Sequence, residues 1–310
     1  MQRPVNPKVV YHADWGSTAE KRWCAKAMLG TGGRYTASAP EPVGPPGSLM
    51  GQLRTKAGDA GCAFAGFDFQ IGVPAFYARR AKISSFRDLL PKLGHDEWSE
   101  FYAVCDEPEQ VSLDRPFYPN RPTKGRRQED LFRRLGADSM DPLLRRCDGG
   151  GNGRKKACCL FWTLGRNQVG KAAIGGWRDV LAPALRGIDL WPFDGRLRPL
   201  LVPGNVVVAE TYPAECYGWF GEPPDSKGDQ NERKRFGASL LRWAHDKGVA
   251  LDGELRKQIE DGFPQGKDDA FDAVVGLFGM LQVCLGQRAT GEPDNREVRE
   301  IEGWILGREP

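Results

Sequence analysis

The sequence predicts an α/β fold, and three observations carry that prediction. Apolar and polar residues alternate along RWCAKAML (22–29), as in a strand with one covered face. Two nearly continuous apolar runs, CAFAGFDFQIGVP (62–74) and NVVVAETYPAE (205–215), are typical of interior strands covered on both faces. Helical periodicity then dominates the end of the chain, at about 229–247, 252–261 and 268–286.

The N-terminal elements follow in order. A short β-rich run over 8–13 ends at Asp14 and precedes the alternating run 22–29. The turn GTGG leads into a second alternating run over 34–43, so these three strands predict an antiparallel meander. A helix is predicted over 48–58 with Ser48 as its N-cap, and the apolar strand 62–74 follows it.

The remaining chain divides into an insert and a tail. Residues 75–204 are rich in Arg, Pro and Gly, with helices predicted near 84–93, 127–136 and 170–186. We predict one domain over 1–290 that contains this insert. Residues 291–310 carry six acidic residues against three arginines and are expected to form a peripheral acidic tail.

Composition bounds the class of protein. The chain has 310 residues, 40% of them hydrophobic, and a net charge of +3, which is too small to indicate nucleic-acid binding by itself. The segment from Arg121 to Lys156, however, holds eleven Lys/Arg against five Asp/Glu. This segment either meets a phosphate backbone or forms a solvated loop face.

Cysteine and hydropathy patterns exclude two classes. The eight cysteines form no CxxC pair, and His12, His95 and His245 do not fall at zinc-ligand spacing, so a zinc module is not expected. The longest uncharged stretch, 273–286, is too short to span a bilayer. We therefore expect no membrane partner, buried reduced thiols and a cytoplasmic location.

Acidic residues recur where core elements begin or end. Asp14, Asp68 and Glu210 lie at or near the ends of predicted strands, and Asp269 and Asp272 share one face of the last apolar helix. Each alone has a structural interpretation, such as capping a turn, accepting backbone amides or facing a helix dipole. If all converge, their repulsion requires a cation, and hard oxygen ligands indicate Mg²⁺ or Mn²⁺.

The order of these motifs resembles the ribonuclease H-like fold, and more closely the proteins classed as domain of unknown function 429. The segments that carry the resemblance are DWGST, GFDFQIGVP, QVGKAAIGGWRDVLAPALRG, DLWPFDG, VVVAETYPAE and KDDAFDAVVG. The resemblance implies a mixed five-stranded sheet of order 3-2-1-4-5, flanked by helices, with the helical and irregular insert before the last strand.

The same resemblance implies a metal-dependent nuclease that uses two ions, Mg²⁺ or Mn²⁺, on nucleic acid. Asp14 would bridge both ions, with Asp68, Asp269 and Asp272 as the other ligands. Glu210 departs from the simplest pattern and would act as a further ligand, an orienting group or a base. Basic side chains expected to hold substrate are Lys171, Lys227 and Arg233.

Other functions remain open at this level. GRNQVGKA (165–172) resembles a phosphate-binding P-loop but has Ala172 where Mg²⁺ binding needs Ser or Thr. DWGST also fits the Asp-x-Gly-x-Thr motif of sugar kinases and actin-like ATPases, although no second copy follows. A third alternative is a non-catalytic RNase H-like protein that binds nucleic acid through its basic segment.

Overall fold

A computed structural model describes residues 3–122, 126–150, 156–164, 169–264 and 267–310. Its centre is a mixed seven-stranded β-sheet. The strands are β1 (Val9–Trp15), β2 (Arg22–Leu29), β3 (Tyr35–Pro42), β4 (Ala63–Phe67), β5 (Asp189–Leu190), β6 (Val206–Glu210) and β7 (Ala250–Leu251).

The α-helices are distributed among these strands. They are α1 (Pro46–Ala57), α2 (Ala75–Arg80), α3 (Phe86–Leu89), α4 (Gln128–Arg134), α5 (Val169–Gly176), α6 (Ala182–Ala184), α7 (Leu197–Leu200), α8 (Pro213–Cys216), α9 (Gln230–Asp246), α10 (Gly253–Asp261) and α11 (Asp268–Cys284). A π-helical turn, Trp177–Leu181, joins α5 to α6.

The sheet order is β5-β6-β4-β1-β2-β3-β7, so the expected five-stranded sheet of order 3-2-1-4-5 is wrong for the sheet as a whole. The α/β class is confirmed. The two further strands, β5 and β7, have two residues each and lie at opposite edges. Segments this short carry no periodic pattern, which is why the sequence did not reveal them.

The direction of each strand follows from its connection. Strands β1, β2 and β3 form the predicted antiparallel meander. Strands β1, β4 and β6 run parallel to one another, because helical segments cross between them. The carboxyl ends of these three central strands therefore meet at one edge of the sheet.

Two cores cover the two faces of the sheet, because successive side chains of a strand point to opposite sides. Tyr11 and Phe67 pack in the core that contains α1, α5 and most of the insert. Val10 and Phe64 pack in the core formed with α9, α10 and α11. Burial on both faces explains the continuous apolar runs of β4 and β6.

Two local expectations differ from the structure. The strand predicted over 62–74 ends at Phe67, and the chain turns away from the sheet beyond it. Helix α1 begins at Pro46 without a side-chain cap, so Ser48 is not its N-cap and its hydroxyl donates to the Pro45 carbonyl instead.

Among the described residues, no helix combines the length and the apolar character that a bilayer span requires.

The acidic C-terminal segment is not peripheral. Its apolar side chains pack into both cores, and they include Val298, Ile301, Trp304, Ile305 and Leu306. The Leu306 amide donates to the Glu210 carbonyl at 2.9 Å, which attaches the segment to the end of β6. The prediction of a peripheral tail was wrong because it rested on the acidic residues, whereas the apolar residues between them face inward.

Candidate active site

A cavity of about 470 Å³ opens where β1, β4 and β6 end. In open α/β sheets, ligands bind in crevices outside the carboxyl ends of parallel strands. All five acids singled out in the sequence line this cavity: Asp14, Asp68, Glu210, Asp269 and Asp272. Elements far apart in the chain thus place their carboxylates in one space.

Strand register places the first two carboxylates side by side. Ala13 in β1 is in register with Phe67 in β4, and the Asp68 amide donates to the Ala13 carbonyl at 3.0 Å. Asp14 and Asp68 are therefore the next pair along two parallel strands, and both face α11. Asp14 is 8% exposed, and Asp68 is partly buried.

Close packing of α11 on β1 adds the helix carboxylates. The His12 ring bonds through Nδ1 to the Ala273 carbonyl at 3.0 Å. Gly276 lies directly over the same ring, and a methyl group there would overlap it. This contact fixes α11 against β1, so that buried Asp272 and, one turn earlier, partly buried Asp269 face the cavity.

Burial and repulsion make the carboxylates reluctant to ionise. Burial, and then the charges of Asp272 and Asp68, raise the pKa of Asp14 well above its ordinary value. Burial and the Asp272 charge raise the pKa of Asp68 to about 7. Burial also raises the pKa of Asp272 and of Asp269. A cation in this cavity would reverse these shifts, because it favours the ionised forms.

Lys227 provides one positive charge inside the cluster. Its ammonium donates to Oδ2 of Asp272, while the Tyr217 hydroxyl donates to Oδ1. Burial lowers the pKa of Lys227, but Asp272, Asp14 and Asp68 outweigh it and raise the pKa above the ordinary value. Lys227 thus interacts with three carboxylates rather than with solvent alone.

Arg233, predicted to hold a substrate phosphate, is fully buried instead. Its guanidinium donates to the Gly262 carbonyl at 2.8 Å and to the Lys227 carbonyl at 2.6 Å, and it also reaches Phe263 and Pro264. Because the guanidinium is buried and donates to these backbone carbonyls, it is not available to bind a substrate phosphate. Arg233 instead holds the backbone of Lys227 in place and ties it to the segment after α10.

Glu210 lines the cavity but belongs to a different set of contacts. Its two carboxylate oxygens accept from Arg145 Nη1 and Nη2, each at 2.6 Å, and Oε2 also accepts from the Ile71 amide at 2.6 Å. Arg145 donates as well to Asp148, at 2.9 and 3.0 Å. Glu210 is in register with Phe67, so it points to the sheet face opposite Asp68.

Among the residues that the structure describes, neither Lys171 nor any basic residue of the segment 121–156 lines the cavity. The Lys171 ammonium donates to the Asn120 carbonyl at 3.0 Å, and Lys171 does not line the cavity. Among the described basic residues from Arg121 to Lys156, five pair with acids; they are Arg126, Arg133, Arg134, Arg145 and Lys156. These pairs neutralise much of the local excess charge, while Lys124, Arg154 and Lys155 lie outside the described residues.

The two segments that resemble phosphate-binding loops, GRNQVGKA and DWGST, have different outcomes in the structure. Residues 165–168 of GRNQVGKA lie outside the described ranges, and α5 begins at Val169. The DWGST motif forms a tight loop in which the Gly16 amide donates to the Lys21 carbonyl at 3.1 Å. A side chain at Gly16 would overlap Lys21, so this glycine keeps the loop closed and Lys21 at the cavity.

The donor chemistry of the cavity fits a hard divalent cation, although its present geometry does not enclose one. Asp14, Asp68, Asp269 and Asp272 offer carboxylate oxygens, which Mg²⁺ and Mn²⁺ prefer. Over the ranges that the structure describes, no three His, Cys, Asp or Glu side chains are arranged to coordinate one ion. Lys227 occupies one oxygen of Asp272, so a metal would need that lysine to move.

Sequence reasoning gave no role to several polar residues of the cavity, among them Lys21, Asp148, Tyr212 and Tyr217. It also placed Arg145 in a basic segment expected either to meet a phosphate backbone or to form a solvated loop face, although that side chain is buried. Tyr217 could have been noticed, because it directly follows α8, the short helix after the strand that carries Glu210. Nothing in the sequence pairs Arg145 with Glu210, since 65 residues separate them.

Comparisons with known proteins identify no relative: no family model, no curated protein and no solved structure matches this chain.

Proposed function

We propose that the protein is an RNase H-like, metal-dependent nuclease that hydrolyses phosphodiester bonds of nucleic acid. The observation that carries the proposal is the carboxylate cluster at the carboxyl edge of the sheet. Asp14, Asp68, Asp269 and Asp272 come from three separate elements and line one cavity, where burial and the charges of the other three raise the pKa of Asp14. Proteins bury repelling carboxylates together where a cation or a reaction uses them.

The arrangement of strands supports the RNase H-like assignment. Within the seven-stranded sheet, β3, β2, β1, β4 and β6 are consecutive neighbours, and β2 is antiparallel to β1 while β4 and β6 are parallel to it. The acids lie on β1, directly after β4 and on α11. This placement follows the pattern that the sequence motifs implied.

The residues of the cavity divide the work in this proposal. Asp14, Asp68, Asp269 and Asp272 would hold Mg²⁺ or Mn²⁺, and two such ions lower the pKa of an attacking water and stabilise the leaving oxygen. Asp68 has a pKa of about 7 in the metal-free protein, so near neutral pH it would release its proton as it binds the metal. Lys227 supplies a cation for the substrate phosphate. Glu210, held by Arg145, keeps the floor of the cavity in place.

The test is the Asp14→Asn variant, which keeps the shape of the side chain but removes its charge. We expect Mn²⁺ affinity and Mn²⁺-dependent cleavage to fall by at least about 10–100-fold, the loss typical of weaker outer-sphere changes. Titration calorimetry measures binding. Cleavage is measured on branched, linear and single-stranded substrates. Asp59→Asn, at an exposed turn before β4, is the matched control and should change neither.

The outcomes separate the proposal from its alternatives. Unchanged Mn²⁺ affinity in folded Asp14→Asn protein removes Asp14 from the site. Salt-sensitive binding of nucleic acid without cleavage in Mn²⁺ favours a non-catalytic binding protein. Transfer of phosphate from ATP to a small acceptor favours the sugar-kinase-like alternative.

A further inference from the structure

The position of Lys227 among the carboxylates has a consequence for metal binding. Its ammonium contacts Oδ2 of Asp272 and interacts with Asp14 and Asp68, the same groups that would hold the metal. We infer that Lys227 is an internal counter-cation, which a divalent metal ion displaces from Asp272. This inference rests on the proposed function and adds a competitor for the metal within the chain itself.

The contacts of Asp272 suit such an exchange. The Tyr217 hydroxyl holds Oδ1, so the carboxylate keeps its orientation when Oδ2 changes partner. The Asp272 side chain is only 5% exposed, whereas that of Lys227 is 46% exposed. The acid is therefore fixed in the cavity wall, and the lysine has open space into which its long side chain can withdraw.

The backbone of Lys227 stays in place during the exchange. Arg233 donates to the Lys227 carbonyl at 2.6 Å and is anchored by the Gly262 carbonyl at 2.8 Å. Only the side chain needs to move. Because its base is fixed at the cavity, the displaced ammonium remains within reach of a phosphate bound there, and the same lysine serves both states.

Electrostatics sets the direction of the expected effect. A divalent ion interacts more strongly with several carboxylates than a single ammonium does. At sufficient concentration it therefore displaces the Lys227 ammonium from Asp272. Until then the lysine offsets the repulsion that raises the pKa of Asp14 and Asp68. Lys227 thus stabilises the metal-free protein and weakens its affinity for metal.

The first experiment compares Mn²⁺ binding by the wild-type protein and the Lys227→Met variant, using titration calorimetry. Methionine keeps the length of the side chain and removes the charge. We expect at least about a tenfold higher Mn²⁺ affinity, and a lower melting temperature without metal, because the carboxylates lose their counter-cation. Lys257→Met, at an exposed position of α10, is the control and should leave both values unchanged.

The second experiment uses the wild-type protein and so does not depend on how the variant folds. Amine acetylation followed by mass spectrometry measures the reactivity of Lys227 relative to that of exposed Lys257. We expect saturating Mn²⁺ to raise the relative rate at Lys227 severalfold, because the ammonium leaves Asp272. A rate that Mn²⁺ leaves unchanged or lowers overturns the inference.

The outcomes distinguish this inference from the proposed function. If wild-type protein binds Mn²⁺ and cleaves, but Lys227→Met binds no more tightly, only the role of Lys227 is wrong. If neither protein binds Mn²⁺, the proposed function fails and the inference fails with it. Binding that is detected only in Lys227→Met shows that the lysine blocks the metal and is not displaced by it, which overturns the inference.

Discussion

The raised pKa of Asp68 makes the stability of the protein depend on pH. Its pKa of about 7 means that the folded protein holds this proton more tightly than the unfolded chain, whose carboxyl groups titrate near 4. The stability that this group contributes is therefore fully present below about pH 4 and is lost as the pH rises through 7. At neutral pH and above, an ionised Asp68 destabilises the metal-free fold.

Replacing Asp68 by Asn should consequently stabilise the metal-free protein at pH 8. The gain is on the order of 2–4 kcal/mol, at about 1.4 kcal/mol for each unit of pKa displacement. Urea denaturation of both proteins at pH 5 and pH 8 measures it. The difference between wild type and variant should be larger at pH 8, and an equal difference at both pH values contradicts the assignment. Comparing the two proteins cancels titration of groups such as His12.

His12 contributes in the opposite sense at low pH. Burial lowers its pKa to about 3, so the folded protein keeps the ring neutral while the unfolded chain takes up a proton near 6.5. The stability from this group is present above about 6.5 and is lost as the pH falls toward 3. The neutral ring is the form that packs between β1 and Gly276.

At the scale of elements, the contact between α11 and β1 decides whether the carboxylates meet. Gly276 has no side chain, and this allows the helix to approach the His12 ring closely. A glycine inside a helix costs about 0.5–1 kcal/mol relative to alanine. Here that cost is offset by the packing of a largely apolar helix, buried from Ala270 to Cys284, against the central strand.

The same substitution should therefore have opposite effects in two helices. We expect Gly276→Ala to destabilise the protein by about 1–3 kcal/mol, since the added methyl group overlaps His12. Gly51→Ala in α1, where a methyl group meets nothing within 4 Å, should stabilise it by about 0.5–1 kcal/mol. Urea denaturation of the two variants provides the comparison. If both are stabilised, α11 does not depend on this close approach.

Strand parity explains how far the site could be predicted from the sequence. The acids at Asp14, Asp68, Asp269 and Asp272 were found because each ends or begins an element whose period was clear. The separate contacts of Glu210 arise because Glu210 is in register with Phe67, so Asp68 and Glu210 point to opposite faces of the sheet. The sequence does not show which residues of β4 and β6 are paired, so this difference could be recognised only from the tertiary structure.

At the scale of the whole molecule, Arg145 joins parts of the chain that are remote in sequence. Its buried guanidinium contacts Asp148 in the insert, Glu210 at the end of β6, and the carbonyls of Ile71 and Glu302 at 3.2 Å each. The Glu302 carboxylate in turn accepts from the Ala75 and Arg146 amides. The insert, the sheet and the C-terminal segment are thus held together beneath the cavity.

Removing Arg145 should affect the entire fold. Arg145→Met leaves Glu210 and Asp148 buried without their partner, which typically costs about 3–5 kcal/mol. Arg133→Met, which removes an exposed pair with Glu129 in α4, should cost no more than about 0.5 kcal/mol. Urea denaturation measures both. A loss in Arg145→Met as small as that in Arg133→Met would show that the buried contacts do not hold the three parts together.

The sequence alone determined the α/β class, the five longer strands, the long C-terminal helices and five of the acids that line the cavity. Each of these follows from local periodicity, which depends on which faces of an element are covered. Only the tertiary structure decided the two edge strands, the burial of the C-terminal segment, the pairing of Glu210 with Arg145 and the position of Lys227 on Asp272. Contacts between residues that are distant in the chain leave no periodic trace, because their energy arises only when folding brings the partners together.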